Sequence, residues 1–258
     1  MKDIIANLGL SKSAVLHRTL RPVLERQGIV WAWLDDVPPR RELIEDVGHI
    51  VLRLSHARLG GHGPCMKRRG DIAAIQGGFA AVLDLSLQEV ANQLTGSVVN
   101  SGADRLENAG KAGIPQIVAP GAIDMVDFPA WLGVPSELSD RPFHAHNRLL
   151  ASATSGADDR RRIAGAIADK LSRASAPVAF VLPAGGIQQW DREGEALHDP
   201  DALAAFVDAM RSAVRPPVEL HEIKDHINST AFNETVLAIF DRWVAAGIVP
   251  AGRATVAA

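Results

Sequence analysis

Asp84, Asp124, His146 and His226 carry side chains that can transfer a proton or contact a metal. Each stands at or just after a short apolar run. His144 and His146 are two apart in Phe-His-Ala-His-Asn. On a strand both imidazoles share one face, which suits proton transfer, or metal ligation if Asp84, Asp124 or His226 adds a third ligand. One core histidine beside one exposed histidine is the plainer account, because no HExxH or comparable ligand spacing occurs. The catalytic candidates are therefore Asp84, Asp124, His146 and His226, and no metal site is assigned. Asp191, Glu193, Glu195, His198 and Asp199 form a polar stretch that reads as acid–base groups or a lid, or else as a solvated loop ending in a helix cap.

Glycines accompany these residues. Gly60 with Gly61, Gly121, and Gly185 with Gly186 also follow apolar runs, where bare backbone amides can approach a phosphate. Ordinary strand-to-helix turns explain the same glycines. Neither GxxxxGK[ST] nor a GxGxxG after a strand is present. The lone cysteine, Cys65, has no CxxC partner and reads as an ordinary thiol, and Lys67–Arg69 reads as a solvated basic surface.

The elements that must position these groups alternate. Strands are expected at Ile29–Leu34, Ile50–Leu54, Ala80–Leu85, Ile114–Val118, Val178–Leu182 and Val218–Ile223, with a short strand or strand end at Phe143–Asn147. Between them, helices are expected over Leu87–Leu94, opened by a Ser86/Glu89 capping box, and from Ser101 to Gly113, opened by Ser101 and Asp104. Further helices follow Asp158–Asp159, Asp199–Pro200, and Asn228 or Ser229. This order predicts an α/β fold: a mostly parallel open sheet with helices on both faces, Rossmann-like. In such a sheet the strand ends share one edge, so residues far apart in sequence converge on one crevice.

The chain has 258 residues, 47% hydrophobic and 22% charged, with a net charge of −3. That balance gives no strong field for nucleic acid or an anionic membrane. A single cysteine and no long apolar run at the start point to a cytoplasmic protein. Residues 1–27 are expected to be a lead-in, and residues 28–258 one Rossmann-like domain.

The segments AAVLDLSLQEVANQL, SGADRLENAGKAGIPQIVAPGAIDMVDF, FHAHN, VLPAGGIQQWDREGEALHDPDA and HINSTAF occur in that order. Together they resemble the carboxyl-terminal domain of the ATP-binding family typified by the tomato mosaic virus resistance protein, over roughly residues 40–247. The resemblance implies a Rossmann-like fold, nucleotide binding and a homodimer. It also makes residues 1–27 the expected remnant of an amino-terminal domain. It carries site roles onto Ser101, Gly102, Arg105, Gly121, Asn147 and Gly186, and supports Asp84, Asp124, His146 and His226. His56–Gly78 matches the family only in patches. The expected function is binding of a nucleotide or phosphorylated small molecule at the carboxyl edge, with metabolic catalysis as its extension. ATP and Mg are candidates for the small anionic ligand and its metal, and Arg105 is a candidate charge partner. The alternatives are a dimeric interaction module marked by exposed Trp131, Trp190 or Trp243, and a metal-dependent hydrolase.

Overall fold

The computed structural model describes residues 80–250, apart from 98 and 147, together with the strand segments Ile29–Val30 and His49–Leu54. The expected lead-in of residues 1–27, His56, Gly60, Gly61, Cys65, Lys67–Arg69 and Asn147 lie outside the described residues.

The strands are β1 (Ile29–Val30), β2 (His49–Leu54), β3 (Ala81–Ser86), β4 (Gln116–Gly121), β5 (Met125–Pro129), β6 (Phe143–Ala145), β7 (Leu150–Thr154), β8 (Val178–Pro183) and β9 (Glu219–Ile223). The α-helices are α1 (Gln88–Thr95), α2 (Asn108–Lys111), α3 (Ala157–Ser172), α4 (Pro200–Ala213) and α5 (Thr230–Ala245). The main sheet runs β1-β2-β3-β4-β8-β9. Its last four strands are parallel, and β2 lies antiparallel to β3, with Val51 opposite Val82.

β8 shows why the sheet is covered on both sides. Val178, Phe180 and Leu182 point to one face, where they pack with Ile163 and Ile167 of α3 and with Phe206 and Met210 of α4. Ala179 and Val181 point to the other face, under Phe232, Val236, Phe240 and Trp243 of α5. A strand buried on both faces has no polar alternation, and all six β8 residues are buried. Two caps act as their sequence predicts. Asp199 accepts from the Ala202 N–H at 3.0 Å, and Ser229 accepts from the Phe232 N–H at 3.1 Å. Among the described residues no helix is long and apolar enough to cross a membrane.

Several expectations are corrected. Ser86 ends β3 and caps nothing, and α1 starts after Leu87 with no side-chain cap. Glu89 turns instead toward Arg105, at 3.5 Å. The helix expected from Ser101 is confined to Asn108–Lys111, because Leu106 takes a left-handed φ of 78° that no helix tolerates. The turn this creates swings Arg105 inward. β4 runs two to three residues later than expected, so Pro120 and Gly121 lie inside the strand. A second, antiparallel sheet of order β5-β7-β6 was not foreseen. β6 is the short strand expected at Phe143–Asn147, whereas β5 and β7, five residues each with mixed polar and apolar residues, read as loop. Trp243, expected as an exposed interface marker, is wholly buried in the core.

Candidate functional site

The turn after β4, the stretch between β7 and α3, and the loop after β8 meet beyond the carboxyl ends of the parallel strands. The Ala122 N–H donates to the Ile187 carbonyl at 3.0 Å, and the Ser155 N–H donates to the Asp124 carbonyl at 2.7 Å. These main-chain ties hold Asp124, Ser155, Gln188 and Asp191 around one side chain, Arg160, in the first turn of α3.

Arg160 is fully buried. Its Nε donates to the Ser155 carbonyl at 3.2 Å. Its Nη2 lies 3.7 Å from Asp124 Oδ2, and neither Nη1 nor Nη2 makes a hydrogen bond. Asp124 is equally buried. Its Oδ2 accepts from Gln188 Nε2 at 3.1 Å, while Oδ1 has no partner. The Ser155 hydroxyl and Asp191 Oδ1 are unpartnered as well. Burial pushes the Asp124 carboxyl up to about 6. Arg160 opposes that rise, and the nearby Asp191 charge adds to it. A buried guanidinium with two nitrogens lacking hydrogen bonds is costly, and such groups are normally satisfied by a ligand, an ion or ordered water.

His226 stands at the edge of this cluster with both ring nitrogens engaged. Nε2 donates to the Gln188 carbonyl at 2.8 Å, and Nδ1 accepts from the Asn228 N–H at 3.0 Å. These partners assign a neutral ring that clamps the loop after β8. Gly185 and Gly186 allow the close approach. A Cβ on Gly185 would meet the Lys224 carbonyl oxygen at 2.8 Å. A Cβ on Gly186, where φ is 133°, would run into the Asp191 carbonyl oxygen and the His226 ring. We expect Gly186→Ala to cost about 3 kcal/mol through backbone strain and overpacking. A lowered urea midpoint checks this, and an unchanged midpoint would show that the loop is not packed as described.

The remaining candidates divide. Asp84 and Arg105 meet in a buried bidentate pair, with Nη2 to Oδ1 at 2.8 Å and a further bond from Nη2 to the Ser86 carbonyl at 3.1 Å. They join the end of β3 to the Leu106 turn. Ser101 is buried in the same region, and Gly102 has φ 88°. Gly121 lets β4 pass the Leu85 carbonyl. His144 and His146 do share a face: their rings are 4.9 Å apart, and His144 stacks on Trp190 at 4.2 Å. His146 Nε2 contacts the Ser152 hydroxyl at 2.9 Å, and that hydroxyl donates to Asp127. Asp127 is held in turn by Gln88 at 2.7 Å and Asn92 at 2.9 Å. Trp190 ties this group to the Arg160 cluster, since its main-chain N–H donates to Gln188 Oε1 at 2.8 Å. Among the described residues no group of three or more His, Cys, Asp or Glu converges as a metal site.

Arg160, Ser155 and Gln188 were not singled out from sequence. For Arg160 a signal existed. It lies three, four and seven residues before Ile163, Ala164 and Ile167, so a cation occupies the apolar stripe of α3.

Residues 60–244 match the family described as "Uncharacterised protein family (UPF0261) C-terminal domain". A UPF0261 protein of Brucella melitensis biotype 1 is 58% identical over 185 residues, covering 72% of this chain and 44% of the relative. A UPF0261 protein of Clostridium tetani is 31% identical over 193 residues, covering 74% and 46%. The ToMV resistance protein Tm-1(GCR237) of Solanum lycopersicum is 28% identical over 169 residues, covering 64% and 22%. The chain spans less than half the length of these curated relatives.

Proposed function

This chain belongs to the UPF0261 family by its C-terminal domain, and from that premise we propose that its carboxyl-edge cluster seats the anionic end of a small molecule. The first candidates are a nucleotide or another phosphorylated compound. One observation carries the reading: Arg160 is wholly buried, yet neither terminal nitrogen makes a hydrogen bond, and Nη2 has only the 3.7 Å ion pair with Asp124. The guanidinium fork matches two oxygens of a phosphate or carboxylate. The unpartnered Ser155 hydroxyl can donate to the same group. ATP fits this donor set through a phosphate, and any accompanying Mg would ride on the nucleotide's own oxygens.

Asp124 supplies the proton. With its carboxyl near 6, it holds or releases a proton around the pH at which metabolic enzymes work. Catalysis is the extension of this reading, with Asp124 as the acid–base group and Arg160 as the charge that binds the anion. Calorimetric titration of the full chain with inorganic phosphate and with ATP-Mg tests it. Saturable binding of either is the expected result, and no heat at millimolar ligand would overturn the proposal.

The Asp124 proton also predicts a pH signature. The folded carboxyl sits near 6 against an ordinary value of 3.8, so the folded chain keeps a proton that the unfolded chain gives up between those values. Stability from this group is full below about pH 4 and lost as pH rises through 6, by about 3 kcal/mol in all. Asp124→Asn mimics the protonated form. It should remove that slope and exceed the wild type at pH 8 by up to about 3 kcal/mol. Urea unfolding at several pH values checks this, and parallel profiles for the two proteins would contradict it.

A further inference from the structure

Beyond the anion seat, the geometry points to a second acid–base centre: Asp191 and His198 form a dyad that serves the pocket between the end of β8 and α4. Asp191 is fully buried. Its Oδ2 accepts from the Ile187 N–H at 3.1 Å, which leaves Oδ1 without a hydrogen bond. That oxygen lies 3.5 Å from His198 Nδ1, which is also unbonded. Two bare atoms of complementary type face each other at a distance slightly too long for a good bond. Contacts of this kind commonly close when a ligand arrives.

Both residues are held in place by the main chain. The Asp191 N–H donates to the Gln188 carbonyl at 3.1 Å, and the His198 N–H to the Glu195 carbonyl at 3.3 Å. His198 immediately precedes Asp199, the cap of α4. A carboxylate can accept only from a protonated Nδ1, so Asp191 sets the ring's tautomer and leaves Nε2 as the basic nitrogen.

His198 lines a pocket of about 340 Å³ whose other walls include Ala184, Pro200, Leu203 and Val207. Arg211, at the same pocket, is already paired with Glu222 at 2.8 and 2.6 Å and with Asp208 at 2.6 Å. It offers no bare cation, so the pocket suits a different chemistry from the Arg160 seat. Its ligand class is an uncharged small molecule with an apolar body and one acidic O–H. In the proton transfer the substrate O–H bond breaks and an Nε2–H bond forms. The electron pair stays on the substrate oxygen, and Asp191 stabilises the imidazolium. No redox partner is required.

Long-range ¹H–¹⁵N correlation spectra of the labelled full chain test this without any ligand, with His198→Gln giving the assignment. Neutral His198 should carry its proton on Nδ1. In Asp191→Asn the side-chain oxygen stays with the Ile187 N–H and the amide NH₂ faces the ring. The tautomer should then switch to Nε2–H. Carbethoxylation of His198 by diethyl pyrocarbonate should slow about tenfold in that variant, the scale on which outer partners act. An Nε2–H tautomer in the wild type would overturn the dyad, whatever the variant does. A tautomer and rate unchanged by Asp191→Asn would overturn it too. Arg160→Met removes the anion seat without touching this readout, so the two readings fail separately.

Discussion

Arg160→Met should weaken phosphate or nucleotide binding on the order of a hundredfold, equivalent to about 3 kcal/mol, as expected when a buried charge-assisted contact is removed. The substitution fits the space, although it costs stability by stripping buried Asp124 of its cation and the Ser155 carbonyl of a donor. Position 160 continues the apolar stripe of Ile163 and Ile167, and methionine fills a similar volume there. A second effect accompanies the first. Arg160 is the group that opposes the rise of the Asp124 carboxyl, so in the variant that carboxyl should titrate above its present value of about 6. Arg160→Lys separates charge from shape. It keeps the cation but loses the planar fork, and should restore only part of the affinity. Equal affinity in wild type and Arg160→Met, by calorimetry, would show that the ligand sits elsewhere.

The largest loss of stability should come from Arg105→Met. Arg105 lies between Asp84 and Glu89, and all three are buried. Removing the cation leaves two carboxyl groups in a medium that disfavours their charge. Breaking one side of a buried pair typically costs about 3–5 kcal/mol. A domain of this kind holds roughly 5–15 kcal/mol in total, so the variant should be close to unfolding. Replacing Asp84 as well, in Asp84→Asn with Arg105→Met, should cost less than the single change, because one buried carboxylate, Glu89, then loses the Arg105 cation instead of two. Urea midpoints decide the matter. A loss under about 1 kcal/mol for Arg105→Met would mean that the pair is solvated or otherwise compensated.

Much of the frame was legible in the sequence because its signals are local. The apolar run Val178–Leu182, the cap at Asp199 and the cap at Ser229 each depend on neighbours within a few residues. The alternation of such units implied the parallel strands, and hence the edge where Asp124, Gly186 and His226 meet. What was missed depends on contacts distant in sequence. The Ser101 helix yields to a turn because Arg105 reaches Asp84, 21 residues away. The antiparallel sheet is built from strands too short to show a period. Arg160 was hidden for a different reason. A cation on a helix resembles surface until its place on the buried stripe is counted, and its partner Asp124 comes from another element. Asp127 and Ser152 likewise become a pair only when β5 lies beside β7.

The central claim is that Arg160 is the seat of an anion, and a crystal soaked in tungstate, a heavy phosphate analogue, tests it most directly. Anomalous density within hydrogen-bonding distance of both terminal nitrogens of Arg160, beside the Ser155 hydroxyl, is the result predicted. Density only at surface cations, with Arg160 satisfied by ordered water alone, would contradict it.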